Sequence, residues 1–363
     1  MTHLDRKKFL QSVTLAGAGM SLTGSRFLGD RKQQDQPVRI GVIGLDISHS
    51  TAFTRSIKNP EGRPELSGFD VVAAYPYGSR TIESSYSRIP EYTEEMKEMG
   101  VDIVDSVDEL LSRSDVVFLL TNDGHMRREQ AMKVLEAGKM MFMDKPVGAS
   151  LADVIAIMDA SERLDVPVFS SSSLRFITHA HAIRHENLIG DVLGVDAYSP
   201  SVTEETHPDL FWYGIHGVET LYSVLGTGCK TVARTKTDKT DVVVGTWEEE
   251  RTGVFRGLRE GSREGGGIAY GSDEGPPPED ITTVDAYGGI VYGSNAILPL
   301  GPYEGYEPLV IKILEFFRTG VPPVSRQEMI EVYAFMEAAD ESVRQGGTAV
   351  QMEDVIAEAR RQL

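Results

Sequence analysis

The sequence predicts an α/β protein in which a doubly wound parallel sheet precedes a second α/β domain with a mostly antiparallel sheet. Up to about residue 172, short apolar runs alternate with helical stretches. Strands alternating with helices at this spacing build a parallel sheet. After Ser173 the apolar runs alternate with polar residues and are separated by turn residues. This second pattern is typical of antiparallel strands with one exposed face.

The composition fits a large globular protein. The chain has 363 residues, 40% of them hydrophobic and 25% charged, which is enough for two domains with cores of their own. A net charge of −19 argues against a nucleic-acid scaffold, because phosphate binding needs clustered cations. Cys229 is the single cysteine, so an intrachain disulfide and a thiolate metal cluster are both excluded.

The first 36 residues have the composition of a targeting segment. Six basic and three acidic residues occur there, and Arg6-Lys7-Lys8 precedes an apolar run of small residues from Val13 to Leu22. The segment resembles a twin-arginine export signal with Lys7 in place of the second arginine, and it predicts a periplasmic protein. No later apolar run approaches the ~20 residues of a membrane span, so we expect no stable membrane insertion after signal removal. A frayed N-terminus on a cytoplasmic protein is the alternative.

The pattern predicts these elements in order. Strands are expected at 38–44, 69–75, 101–104, 115–120, 140–143 and 166–169, and helices at 48–56, 107–111, 127–137 and 151–164. Beyond them we expect a helix at 177–189, strands at 192–198, 231–234, 242–247 and 253–258, and helices at 308–317 and 327–344. Residues 261–280, rich in glycine, proline and acids, are predicted to form a surface loop.

The turn after the first strand is the candidate nucleotide loop. A dinucleotide-binding turn has the pattern G-x-G-x-x-G, and here only Gly44 remains of the three glycines. Asp46 would repel a diphosphate unless it points away or caps the helix. Ser48 and His49 could donate hydrogen bonds to phosphate at the helix N-terminus. A plain turn of a parallel sheet, with Asp46 as N-cap, remains the alternative interpretation.

The second predicted strand ends without the acid that would bind an adenosine ribose. Ser79 and Arg80 stand there instead, which favours NADP slightly over NAD, because a 2′-phosphate is better tolerated where no carboxylate is present. The alternative is that Arg80 is a solvated turn cation.

Several motifs together resemble one enzyme family. Ala137-Gly138-Lys139 followed by Asp144-Lys145-Pro146 resembles the "A-G-K…E-K-P" hallmark of the Gfo/Idh/MocA family, with Asp144 in place of the usual glutamate. Three further matches follow in family order: Ser173-Leu174-Arg175-Phe176, Gly214-x-His216 and Arg318-Thr319-Gly320-Val321-Pro322-Pro323.

The resemblance implies an N-terminal Rossmann domain at 37–172 and a substrate-binding and oligomerisation domain at 173–363. It implies reversible oxidation of a secondary hydroxyl on a sugar, cyclitol or glycoside, with NAD or NADP as hydride acceptor, in a homo-oligomer. Two alternatives stay open: a glycoside-modifying enzyme that recycles a tightly bound nicotinamide, and a non-catalytic carbohydrate-binding relative with a decayed cofactor site.

The resemblance also implies roles for individual residues. Lys145 matches the catalytic lysine, which would stabilise developing alkoxide charge. His216 matches the general base, and a histidine suits proton transfer near neutral pH. Thr121 and Asp123, after the fourth strand, are expected with Asp144 and Lys145 to contact the cofactor.

One departure from the family concerns the base. Trp212 stands where the family usually has an aspartate, four residues before the histidine. Glu219, one helical turn after His216, or Asp209 could replace that carboxylate. Substrate contacts are expected from Lys145 and His216 and from four further residues: Arg175, His207, Trp212 and Glu219. No metal is expected, because His181 and His185 have zinc-ligand spacing without a specified third ligand.

Overall fold

The computed structural model describes residues 36–259 and 286–363, and residues Gln36–Leu363 form one compact unit. The predicted export segment therefore lies outside the described residues, as does the predicted loop at 261–280. No helix in the described ranges is long and apolar enough to cross a membrane.

Six strands form a parallel sheet in the order β3-β2-β1-β4-β5-β6 within the described part of the chain. This is the order of a doubly wound nucleotide-binding sheet, with its topological switch between β1 and β4. The strands are β1 (Val38–Ile43), β2 (Phe69–Tyr75), β3 (Asp102–Ile103), β4 (Val116–Leu119), β5 (Met141–Met143) and β6 (Val168–Ser170). The predicted parallel sheet is confirmed.

Helices cover both faces of this sheet, and polar side chains fix where three of them begin. Ser106, Asp123 and Ser150 each accept a hydrogen bond from a backbone N–H of the first helical turn. The helices are α1 (His49–Lys58), α2 (Glu83–Tyr86), α3 (Ile89–Glu98), α4 (Val107–Arg113), α5 (Gly124–Glu136) and α6 (Leu151–Leu164). The sequence pattern did not predict α2 and α3, which lie between β2 and β3.

The second sheet has seven strands, counted over the described residues, in the order β12-β11-β7-β10-β9-β8-β13. All its neighbouring strands are antiparallel except β7 and β10, as predicted for the second domain. Its strands are β7 (Val192–Pro200), β8 (Cys229–Lys236), β9 (Thr240–Trp247), β10 (Thr252–Leu258), β11 (Gly288–Gly293), β12 (Ile297–Pro299) and β13 (Val350–Gln351).

The helices of the second part are α7 (Ala180–His185), α8 (Asp209–Trp212), α9 (Ile215–Leu225), α10 (Glu307–Thr319), α11 (Arg326–Arg344) and α12 (Met352–Arg361). The helix predicted at 177–189 is wrong in extent. A short 3-10 turn, Ser173–Phe176, comes first, and α7 ends before Asn187, whose φ of 54° interrupts helical geometry.

Candidate active site

The carboxyl ends of β1, β4 and β5 meet the N-terminus of α9 around one cavity of about 280 Å³. Ligands bind at this edge of doubly wound sheets, beyond the strand ends. Aromatic side chains form much of the wall. Among the described residues that line the cavity, those with basic side chains are Lys145, Arg88, His49 and His216. The aromatic residues are Tyr92, Trp212, Tyr213, Tyr287, Tyr303 and Tyr306.

Lys145 reaches the cavity from the end of β5. Its backbone N–H donates to the Asp144 carboxylate at 2.9 Å, and the Lys145–Pro146 peptide bond is cis. The side-chain ammonium lies over the ring of Tyr213, 5.2 Å from the ring centroid. The predicted catalytic lysine therefore lines the predicted crevice, with its charge held against an aromatic face.

His216 faces the same cavity from the first turn of α9. Its Nδ1 lies 2.6 Å from Oγ of Ser172, which follows β6. The other ring nitrogen, Nε2, has no hydrogen-bond partner among the described residues. Burial and then the nearby charge of Lys145 lower the pKa of His216 well below its usual value. The imidazole is therefore neutral at neutral pH and offers a nitrogen to the cavity.

The carboxylates expected to support His216 lie elsewhere. Glu219 accepts a hydrogen bond from the buried Arg175 at 2.6 Å, so the interpretation that it orients His216 is wrong. Asp209 pairs with Arg234 and Lys236 on the second sheet, and it does not return to the site. Both acids compensate buried or half-buried cations instead.

The structure places three of the predicted substrate contacts outside the cavity lining: Glu219, Arg175 and His207. Arg175 is held between Glu219 and Glu328, which keep its pKa raised although burial opposes this. His207 accepts the N–H of Gly124 at 2.9 Å, and burial lowers its pKa to about 4. Trp212, in contrast, is a wall of the cavity.

Asp46 neither caps α1 nor faces the open side of the loop. Its carboxylate is fully buried against Gly78 and accepts the backbone N–H groups of Ser79 and Asn122, each at 3.0 Å. Burial raises its pKa, and the two N–H donors act against that shift. The predicted N-cap position belongs to Ser48, which makes no side-chain cap bond. Asp46 thus ties the nucleotide loop to the ends of β2 and β4.

A second cavity, of about 460 Å³, opens at the end of β2. Arg80 lies over the Tyr77 ring, 4.4 Å from its centroid, and both line this cavity. Ser79 lines it as well, but its hydroxyl donates to Asp123 at 2.9 Å. Arg80 therefore borders the region where the adenosine end of a dinucleotide is expected, while the Ser79 hydroxyl has an internal partner.

The loop after β4 contributes two buried predicted residues. Asp123 caps α5 by accepting the N–H of His125, and it faces His207 across 3.6 Å. These three side chains could approach a metal ion. However, His207 Nε2 already accepts the Gly124 N–H, and a helix N-terminus disfavours a cation. Thr121 has a buried hydroxyl without a hydrogen-bond partner among the described residues.

Sequence reasoning missed a contact between two predicted cofactor residues. Nδ1 of His49 lies 2.5 Å from Oδ2 of Asp144, and both side chains are buried. Burial raises the pKa of Asp144, but His49, Lys145 and Arg127 together hold it below its usual value. Each partner is a departure from the pattern: His49 occupies the third glycine position, and Asp144 the glutamate position. The sequence signal for this contact was that both positions depart from the family pattern.

The residues present fit a dinucleotide. Gly44 has a φ of 95°, and a Cβ there would collide with the backbone of Thr121, so the tight crossing of a nucleotide loop is retained. The first turn of α1 contains no acid, which suits a diphosphate at its N-terminus. The two cavities lie at the ends of β2 and of β5, where the two ends of a dinucleotide are expected.

Comparison with known proteins agrees with this geometry. Residues 38–172 match the family model GFO_IDH_MocA, described as an oxidoreductase family with an NAD-binding Rossmann fold. An uncharacterised oxidoreductase of Streptococcus pneumoniae is 25% identical over 154 residues, which are 38% of this chain and 42% of that protein. Glucose-6-phosphate 3-dehydrogenase of Bacillus subtilis is 24% identical over 162 residues, 44% of this chain and 40% of that protein.

Those matches span less than half of each curated relative. Over most of the chain the similarity is one of fold. A solved structure of scyllo-inositol dehydrogenase from Lactobacillus casei, with bound NAD(H) and scyllo-inositol, superimposes with a TM-score of 0.65 at 12% identity. That alignment covers 88% of this chain and all of the other.

Proposed function

We propose, from the match of residues 38–172 to the Gfo/Idh/MocA oxidoreductase family model, that the chain oxidises a secondary hydroxyl of a sugar or cyclitol, or reduces the corresponding ketone. The observation that carries the proposal is that Lys145 and His216 line one cavity at the carboxyl edge of the parallel sheet. When bound, a nicotinamide cofactor supplies the hydride acceptor for this chemistry.

Lys145 is proposed to donate a hydrogen bond to the reacting oxygen and to stabilise the alkoxide that develops there. An ammonium in a site closed to bulk water stabilises such charge more than it would in solution. His216 has a neutral imidazole with Nε2 open to the cavity, so it can hold the same hydroxyl from the other side. Two groups on one oxygen fix its orientation before the C–H bond breaks.

The aromatic wall indicates the substrate class. Rings such as Trp212 and Tyr213 present flat apolar faces, while hydroxyls of Tyr287 and Tyr303 lie at hydrogen-bond distance from Tyr213 and Ser173. This mixture suits a polyol ring with apolar faces and a polar rim. The sugar and cyclitol dehydrogenases among the similar proteins support the same class.

The cofactor is proposed to lie along the edge between the two cavities, with its adenosine end near Tyr77 and Arg80. An NAD-binding family model and a similar structure that holds NAD(H) support a nicotinamide dinucleotide. Arg80 and the missing acid after β2 favour NADP over NAD.

The location and assembly of the protein are further parts of the proposal. The basic and apolar N-terminal segment supports export in the twin-arginine manner. The second sheet exposes one large apolar side chain on each of four strands, β7, β9, β11 and β12. Exposed apolar side chains of this kind support a homo-oligomer. These residues are Leu193, Val244, Ile290 and Ile297.

The proposal is tested by mass spectrometry of small molecules released from the purified protein, followed by assays with inositols and hexoses. We expect a nicotinamide dinucleotide to be released or to bind when added, and its reduced form to accumulate with at least one polyol. If neither NAD nor NADP binds the folded protein, the proposal is wrong. If the dinucleotide stays bound and substrate turns over without net reduction, the enzyme recycles its cofactor.

A further inference from the structure

The proposed oxidation releases one proton for each hydroxyl oxidised, and a group in the cavity must accept it. When a neutral imidazole takes a proton it becomes a cation, and a carboxylate on its other nitrogen stabilises that cation. His216 lacks this support, because its Nδ1 faces the hydroxyl of Ser172 and no carboxylate of the described residues is hydrogen bonded to it. His216 can therefore orient the hydroxyl, but it is a poor proton acceptor, because no hydrogen-bonded carboxylate within the described part of the chain stabilises its imidazolium form.

His49 has the support that His216 lacks. Its Nδ1 is within 2.5 Å of the Asp144 carboxylate, whose other oxygen accepts the backbone N–H of Lys145. The ring is fixed by stacking on Phe53 and by the edge of Tyr306. Its Nε2 has no hydrogen-bond partner among the described residues, and the residue lines the cavity.

We propose that His49 and Asp144 form the acid–base pair of this site, with Nε2 of His49 as the proton acceptor. This inference rests on the proposed function and deepens it. In the oxidation direction the substrate O–H bond breaks and an N–H bond forms at Nε2, while the hydride leaves the carbinol carbon for the oxidised nicotinamide. The products are the ketone, the reduced nicotinamide and a His49 imidazolium, which then returns its proton to water.

Asp144 is a positioning residue in this scheme, since it is buried behind His49 and does not line the cavity. It fixes Nδ1 as the protonated nitrogen and leaves Nε2 to accept. The backbone N–H of Lys145 binds the same carboxylate, so proton acceptor and catalytic lysine are held by one group. The shorter aspartate at the family's glutamate position places that carboxylate against the imidazole.

Other charged and titratable groups also face this site. They are Lys145 after β5, Arg88 and Tyr92 from the α3 region, Tyr306 from the start of α10, His216 from α9, and the further tyrosines Tyr213, Tyr287 and Tyr303. Lys145 opposes protonation of His49 and Asp144 favours it. Asp144 is the hydrogen-bonded neighbour of His49, and its removal must free Nδ1 from that bond.

The test compares His49→Gln, Asp144→Asn and the control His181→Gln, whose residue is exposed on α7. For His49→Gln we expect kcat to fall by about 10²-fold or more, because general-base catalysis contributes 10²–10⁴. KM and cofactor affinity should stay near those of the wild-type protein. Activity of the variant should rise steadily with pH as hydroxide replaces the base, whereas the control should keep the wild-type pH profile.

A second readout does not depend on turnover. NMR of the histidine ring N–H groups, assigned by loss of the signal in His49→Gln, should show a hydrogen-bonded Nδ1–H signal of His49 that is lost in Asp144→Asn. Circular dichroism verifies that each variant is folded. An unchanged Nδ1–H signal of His49 in Asp144→Asn, or a wild-type pH profile in His49→Gln, overturns the inference. If weaker cofactor binding is the sole defect of His49→Gln, the inference is also overturned, because the ring then only binds the cofactor phosphate.

The two proposals fail in different ways. If the wild-type protein reduces no nicotinamide with any polyol, the proposed function is wrong, and the Nδ1–H signal of His49 still decides whether the pair exists. If the wild-type protein is active and His49→Gln is equally active, only the acid–base assignment is wrong.

Discussion

Two buried aspartates on neighbouring loops of the same sheet edge differ in what neutralises them. Asp46, after β1, accepts two backbone N–H groups. Asp144, after β5, is hydrogen bonded to the His49 imidazole through one oxygen and accepts a backbone N–H with the other. Backbone donors cannot release a proton at neutral pH, whereas an imidazole can. The first carboxylate is therefore a structural tie, and the second is part of the proposed chemistry.

The largest expected effect is a loss of activity at Lys145, whose backbone N–H is bound by Asp144. The change Lys145→Met keeps a long apolar side chain against Tyr213 and removes the charge that stabilises the alkoxide. We expect kcat/KM to fall by about 10²–10³-fold, the range for loss of one preorganised electrostatic group. Steady-state kinetics measure the loss, and thermal unfolding measures the fold. An active Lys145→Met variant would remove this residue from the mechanism.

Asp46 should respond in stability instead. Asp46→Ala leaves the N–H groups of Ser79 and Asn122 without their acceptor, so we expect the free energy of unfolding to fall by about 2 kcal/mol. Cofactor affinity should weaken with the loosened loop, and it should not tighten as relief of charge repulsion would require. Urea unfolding and cofactor titration give both numbers. The control is Asp238→Ala, at an exposed position in the turn between β8 and β9.

Arg80 allows a third comparison, between the two ends of the proposed cofactor site. Arg80→Glu should lower the preference for NADP over NAD by about tenfold, which corresponds to about 1.4 kcal/mol. The expected change is confined to cofactor affinity, because Arg80 borders the β2 cavity and not the one around Lys145. Equal NADP affinity in both proteins would identify Arg80 as an ordinary surface cation.

The smallest expected effect concerns His207, whose pKa is lowered to about 4 by burial. Between pH 6.5 and 4 the unfolded chain binds this proton and the folded protein does not, so stability falls as the pH falls through that range. His207→Gln keeps an acceptor for the Gly124 N–H and removes the titration. The difference in urea midpoint between pH 7 and pH 5 should therefore be smaller in the variant than in the wild-type protein.

Local patterns predicted the parallel sheet well because each strand is a short apolar run that is buried by its own neighbours. The bounds of β2 and α6 match the expected ranges residue for residue. Two of the elements that prediction missed have a weak apolar pattern. Helix α3 presents one buried residue, Met96, and β12 has three residues, so neither carries a readable period.

The sequence by itself determined the fold class and the presence of Lys145 and His216 at an expected crevice. These follow from periodicity and from motifs that are contiguous in the chain. Only the tertiary structure decided which acid serves which base, since 95 residues separate His49 from Asp144 and 44 separate Arg175 from Glu219. A buried charge takes the partner that packing brings within hydrogen-bond distance, and sequence neighbours such as Glu219 and His216 do not reveal that choice.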